Sequence, residues 1–329
     1  MKSPIHQNNH VSSFSRLLAA LGLLLATASP ALGQTQLKYS DFDQWITRDI
    51  KESAIIGGNT RTLYEIGPTG TWDGKKPYIN QGGSPWASSN IMAKVAGVVK
   101  TNVSVYPELR GNGRCAKLVS HIVGVKVLGL VNIQVLAAGS IYLGKMIEPI
   151  TSSSNPYGKL DFGIPFTDKP KAIQFDYKVK LSDEPDRIRR TGFSRVKTIP
   201  GKDTPGMVLL LQRRWEDANG NIFASRIGTI IHHFNKNSDW VNGAKFQIHY
   251  GDITREPFYQ PYMNLVQDGE SQKFAKNSRG KIVPIKEVSW GSPDETPTHL
   301  CLQFVSSFGT PYVGAVGTTL WLDNVKLIY

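Results

Sequence analysis

Past residue 33 the apolar positions never settle into a helical period. They recur as short apolar or alternating runs, separated by Gly, Pro, Asn and Asp. Alternation with a period of two sends successive side chains to opposite faces of a strand, so this punctuation predicts an antiparallel, all-β protein. The clearest hairpin runs from Met207 to Trp215, turns through Asp217-Ala218-Asn219-Gly220-Asn221 and returns from Ile222 to Phe234. The Asn-Gly pair suits that turn because both residues tolerate positive φ. Further strands are expected at 115–119, 172–181, 244–250, 299–306 and 319–329. The stretch 122–146 is apolar enough to suggest a membrane helix. Yet Lys126, Asn132 and Gln134 interrupt it, and Gly124, Gly129, Gly139 and Gly144 weaken a helix. Its Val and Ile content favours two strands around a glycine turn. Joints rich in Pro, Gly and Ser at 82–89, 151–158 and 290–297 are followed at once by more strand pattern, so residues 34–329 are expected to form one domain.

Residues 1–33 carry a different pattern. Lys2 and Arg16 precede an apolar run from Leu17 to Ala28, and Ala31-Leu32-Gly33 offers small residues before Gln34. This is the arrangement of a cleavable signal peptide. The run is shorter than the roughly 20 residues a membrane span needs, so no transmembrane anchor is expected. No cysteine stands at the cleavage point to carry a lipid. The expected location is periplasmic or extracellular. That compartment weakens one reading of the net charge of +12, since a basic balance often means nucleic acid. Here the charges are scattered except for Arg187, Arg189, Arg190, Arg195, Lys197 and Lys202, which read either as a solvated loop or as contact with an anionic glycan or membrane surface. An oxidising compartment also lets Cys115 and Cys301 pair. Cysteine serves equally as a small core hydrophobe, and both readings stand.

The C-terminal stretch Ser306-Ser307-Phe308-Gly309 … Gly314-Ala315-Val316-Gly317-Thr318-Thr319-Leu320-Trp321-Leu322-Asp323-Asn324-Val325 resembles the end of the putative carbohydrate metabolism domain (PCMD) family of exported Bacteroidetes proteins. Phe42-Asp43-Gln44-Trp45, Gly70-Thr71-Trp72-Asp73, Cys115-Ala116-Lys117-Leu118 and Gly163-Ile164-Pro165-Phe166-Thr167 follow in family order, so the resemblance covers about residues 42–329. It implies a jelly-roll-like β-sandwich resembling carbohydrate-binding modules, and a polysaccharide or oligosaccharide as partner. Cys115 stands where a small alanine is usual, and the missing lipid-bearing cysteine departs from many relatives.

Sugar binding needs exposed aromatic rings on which a pyranose can stack, with polar groups beside them. Trp86 and Trp290 lie in loop-like Gly/Ser/Pro segments, and Trp215 follows Arg213 on one face of its strand. These four are the candidate ligand contacts. Trp45, Trp72 and Trp321 read as core. On a regular last strand Asp323 would share a largely apolar face with Thr319, Trp321, Val325, Leu327 and Tyr329, where a carboxylate needs a partner. The partner is either backbone N–H, lysine or arginine, or a structural Ca²⁺ completed by Glu65 or Asp43; a bulge would turn Asp323 outward. Hydrolysis needs two carboxylates across a cleft, and no motif pairs any of Glu65, Asp73, Asp161, Asp176, Glu216, Asp217 and Asp252. His232 and His233 are neighbours that a strand sends to opposite faces. Three functions follow as expectations: a non-catalytic glycan binder, a glycoside hydrolase or lyase with unidentified carboxylates, and a structural or adhesive surface module.

Overall fold

The computed structural model describes, besides Met1, residues 33–95, 97–127, 131–151, 158–192 and 195–329. The leader expected over 1–33 thus falls almost wholly outside the described residues, as do the turn at 128–130 and most of the joint at 151–158. Residues Gly33–Tyr329 form one compact unit. No helix among the described residues is long and apolar enough to cross a membrane.

Ten strands carry the architecture: β1 (Val105–Arg110), β2 (Gly113–Val119), β3 (Ser140–Met146), β4 (Ala172–Lys180), β5 (Gly206–Glu216), β6 (Ile222–His233), β7 (Ser238–Gln247), β8 (Ile282–Trp290), β9 (His299–Val305) and β10 (Thr319–Ile328). The smaller sheet has the order β7-β4-β10-β2-β1, with Gln34–Gln36 also pairing to β10. The larger runs Leu160–Phe162, β3, β9, β5, β6, β8, Phe274–Lys276. Its ladders are antiparallel except for the parallel pair β6–β8. The chain is an all-β sandwich, because two sheets that are each apolar on one face bury those faces together.

Strand parity explains the core. Leu209 and Leu211 on β5, Leu300, Leu302 and Phe304 on β9, and Ile173 and Phe175 on β4 are all buried in one cluster with Leu320, Leu322, Val325 and Leu327 of β10. The β10 residues change phase between 322 and 325. Asn324 has φ 53°, and the ladder to β4 shifts register between Gln174 and Asp176, opposite Asp323. This bulge corrects the regular last strand expected from sequence. Trp321 and Asp323 leave the apolar face, and Val325 and Leu327 return to the core.

Two strands expected between 122 and 146 are three: His121–Val127, Val131–Ala137 and β3. The strand expected over 244–250 is the end of β7 followed by a separate pair, His249–Tyr250, which joins β6 instead. Small sheets fringe the sandwich. One pairs Val131–Ala137 with Thr191–Gly192. Another sets Arg187–Arg189 between Lys197–Ile199 and Val313–Gly314.

Candidate functional site

The strands of the larger sheet are apolar on both faces in part of their length. Odd residues of β5 enter the core, while Val208 and Leu210 point the other way with Cys301 of β9 and Tyr142 of β3. Together with Ala87, Leu160 and Phe162 they form a second apolar cluster on the outer face. Tyr142, Leu160, Val208 and Leu210 of that cluster line a groove of about 480 Å³, within the range of small-molecule sites. Its walls come from 136–140, from Tyr262 and Val266, and from 307–313.

Charges in the groove are few and locked. Arg226 and Glu287 are buried and ion-paired. Glu287 Oε1 accepts from Gln212 Nε2 at 2.7 Å and from Arg226 Nε at 2.9 Å, and Oε2 accepts from the Val266 N–H at 2.9 Å. Arg226 also donates to the Met263 carbonyl at 2.6 Å and to that of Asn264 at 3.0 Å. The pair therefore pins the loop 263–266 over the sheet, the kind of full satisfaction that a buried ion pair requires.

At one end of the groove the arrangement is different. Tyr142 and Gln303 are direct cross-strand partners on β3 and β9. Lys273 Nζ donates to Gln303 Oε1 at 2.9 Å and lies 5.5 Å from the centroid of Phe162, whose ring is 5.9 Å from that of Tyr142. Burial pushes the Lys273 ammonium down to about 8. The Tyr142 side chain is 2% exposed, and its hydroxyl has no hydrogen-bond partner among the described residues. Leaving such a group unsatisfied costs about 1–3 kcal/mol, which a ligand acceptor would relieve. At the other end Tyr262, 48% exposed, and Phe308 stand 6.2 Å apart with the His233 ring against both. His232 faces Phe234 and Phe246 instead, as strand alternation requires.

A second cavity of about 460 Å³ lies further along the same sheet, lined by Arg214, Trp215, Glu216, Asp161, His299 and Lys276 among others. Arg214 bridges the two. Its Nε donates to Gln212 at 2.8 Å, and its Nη groups to the Phe162 carbonyl and to Cys301 Sγ, each at 2.8 Å. Asp161 accepts the Lys276 N–H at 2.9 Å and Glu216 accepts the Ser278 N–H at 2.8 Å, so both carboxylates hold one turn. Burial, reinforced by Arg214, lowers His299 to about 4.

The four ligand contacts expected from sequence are not brought together. Trp86 is a correction: it is 1% exposed, packs edge-on against Phe42 at 5.5 Å and donates its indole N–H to the Lys38 carbonyl. The supposed loop is a strand, Trp86–Ser88, paired to β3. Trp290 ends β8 with the Arg226 guanidinium over its ring at 5.1 Å. Arg213 is exposed, 3.6 Å from Glu295. Trp215, 45% exposed and stacked on Phe223 at 6.0 Å, stands at the second cavity.

Asp323 and Glu65 do not meet either. Asp323 accepts from Arg110 at 2.5 Å and from its neighbour's N–H at 2.8 Å. Glu65 lies 2.7 Å from Arg48 and accepts from Ser88. Each has a guanidinium where calcium would have to sit, and no group of three metal-ligating side chains occurs among the described residues; a shared Ca²⁺ site does not fit them. Cys115 and Cys301 are both buried and free. They lie on different sheets, Cys115 beside the Glu108 carbonyl and Cys301 beside Arg214, and each alternates with core residues of its strand. The disulfide expectation is corrected accordingly.

Sequence reasoning missed Tyr142, Arg226, Tyr262, Lys273, Glu287 and Gln303. Polar residues inside largely apolar strands, Arg226 beside Ser225 and Ile227 and Gln303 in Leu302-Gln303-Phe304, were the available signal.

No curated protein matches the chain. Among solved structures, a putative glycoside hydrolase from Bacteroides thetaiotaomicron VPI-5482 is similar over 82% of this chain and 75% of that one, with 18% identity and a TM-score of 0.43. Another putative glycoside hydrolase, from Bacteroides vulgatus ATCC 8482, is similar over 90% of this chain and 95% of that one, with 14% identity and a TM-score of 0.40. Residues 68–192 match the family model described as the putative carbohydrate metabolism domain.

Proposed function

We propose that the protein is an exported carbohydrate-binding protein that holds a glycan, without cutting it, in the groove on the outer face of the larger sheet. The family match supports a carbohydrate-related role. The observation that carries the binding reading is the groove's composition. It offers aromatic surface at the exposed Tyr262 and the half-buried Phe308, and hydrogen-bonding groups at Tyr142, Gln303 and Lys273. Glu287, the sole carboxylate among its described lining residues, is bound on both oxygens. Glycoside hydrolysis ordinarily uses a free pair of carboxylates. Polysaccharide or oligosaccharide is the partner class, and export by the leader 1–33 belongs to the same proposal.

The test is calorimetric titration of array-selected glycans into the protein and into Val208→Trp, whose larger side chain fills the groove. Binding by the parent and at least about a tenfold loss in the variant, which is about 1.4 kcal/mol, is the expected result. Undiminished binding by Val208→Trp would move the site elsewhere.

A second reading has its own observation. Asp161 and Glu216 line one cavity beside Trp215 and Arg214, so a hydrolase would use that cavity. Release of reducing ends that disappears in both Asp161→Asn and Glu216→Gln would establish it.

A further inference from the structure

We propose that the Tyr142–Gln303–Lys273 end of the groove receives the carboxylate of an acidic sugar, so that the preferred ligand is a uronate-bearing glycan. This rests on the groove being the glycan site and adds its chemical selectivity. The cross-strand pairing of Tyr142 with Gln303 places both on one face, and the 2.9 Å hydrogen bond brings Lys273 to them. Gln303 uses its carbonyl for that bond, which leaves its NH₂ to donate to a ligand. The ammonium and the amide NH₂ are donors, and the buried, unpartnered Tyr142 hydroxyl is able to donate. An ionised carboxylate is acceptor-only and complements such a set.

The surroundings favour an anion as well. Arg226 and Glu287 neutralise one another, so the groove's own acid is held away from this end by four hydrogen bonds. The floor is apolar, with Phe162 beside Lys273, and a charge–charge contact on it is less screened than one in water. The backbone of part of the basic run noted in the sequence adjoins the groove lining, with Arg189 itself paired to Glu270 at 2.6 Å. The strand Arg187–Arg189 pairs with Val313–Gly314, and the Arg190 N–H donates to the Tyr312 carbonyl at 3.0 Å. Tyr312 and Val313 line the groove.

The experiment is a titration of the protein with two matched probes, a polygalacturonate oligosaccharide and its carboxyl-reduced neutral form, at pH 7 and moderate salt. The acid form is expected to bind at least about tenfold more tightly. Lys273→Met should collapse that ratio toward one, with the acid form losing more affinity than the neutral form, and Tyr142→Phe should lower the ratio a few-fold. In the unmodified protein the ratio should also decline between pH 7 and 10 as Lys273 loses its proton, a readout that needs no variant to fold. Equal binding of the two probes overturns the carboxylate assignment and leaves the groove reading intact. So does an acid preference that survives in Lys273→Met. Failure of both probes and of every array glycan to bind overturns the groove reading itself.

Discussion

The outer faces of the two sheets make an instructive pair. Both carry aromatic rings and charges. There Arg110 donates to Asp176 at 2.8 Å, to Asp323 at 2.5 Å and to Asn242 at 2.6 Å, and its guanidinium lies 3.9 Å from the Trp240 ring centroid. Trp321 gives its indole N–H to Glu108 at 2.8 Å, and Lys117 and Lys178 each stand 5.5 Å from its ring. Each donor and ring named there has a neighbour against it. On the larger sheet Tyr142 has no hydrogen-bond partner among the described residues and Tyr262 is open to solvent. A binding face is marked by what is left unsatisfied on it, more than by which residue types it holds.

The comparison is most strongly stressed by removing each face's arginine. Arg226→Met leaves Glu287 charged and buried beside the loop 263–266, and a loss of about 3–5 kcal/mol is expected in chemical denaturation. Arg110→Met, on the more exposed network, should lose about 1–2 kcal/mol. If the two variants prove equally stable, the Arg226–Glu287 pair is not the pin described here. Next comes ligand affinity. Tyr262→Ala should weaken glycan binding about tenfold with little change in melting temperature. Trp240→Ala should leave affinity unchanged, and a loss there would place the ligand on the smaller sheet.

The smallest effect concerns pH. Burial raises Asp323 to about 6 against the pull of Arg110. A carboxyl whose folded value is raised contributes stability below its unfolded value near 4, and that contribution is lost as pH rises through about 6. Wild type should therefore lose ground to Asp323→Asn between pH 4 and 7, by an amount on the order of 1 kcal/mol. A difference between the two that stays flat with pH, followed by urea denaturation, would show that Asp323 titrates normally.

Much of this fold was legible because strands announce themselves locally. The hairpin around Asn219-Gly220 forms where its turn chemistry places it, with Trp215 opposite Phe223 and Met207 opposite His232. The β10 pattern misled at one residue. Asn324 takes a positive φ, and a one-residue slip exchanges the faces of everything beyond it. That is why Asp323 reads as buried among apolar neighbours in the sequence and is paired with Arg110 in the fold. Trp86 misled for a related reason, since its Gly/Ser/Pro surroundings belong to a short strand pressed against Phe42 and β3.

The candidate site was scarcely legible. Tyr142, Gln303 and Lys273 come from segments more than a hundred residues apart at their extremes, and the pairing of β3 with β9 that unites them is a long-range choice that no local pattern encodes. The family match at 68–192 includes Tyr142 but not Lys273, Gln303, Arg226 or Glu287. The selectivity proposed for the groove thus lies mainly in this chain's residues beyond the matched segment.

The central claim is that the groove binds glycan and leaves it whole. One sample of purified protein, titrated with array-selected glycans and then assayed for reducing ends, tests it most directly. Saturable binding that Tyr262→Ala weakens, with no release of reducing ends, is the predicted result. Reducing ends that accumulate in proportion to protein and vanish in Asp161→Asn or Glu216→Gln would contradict it and make the second cavity an active site.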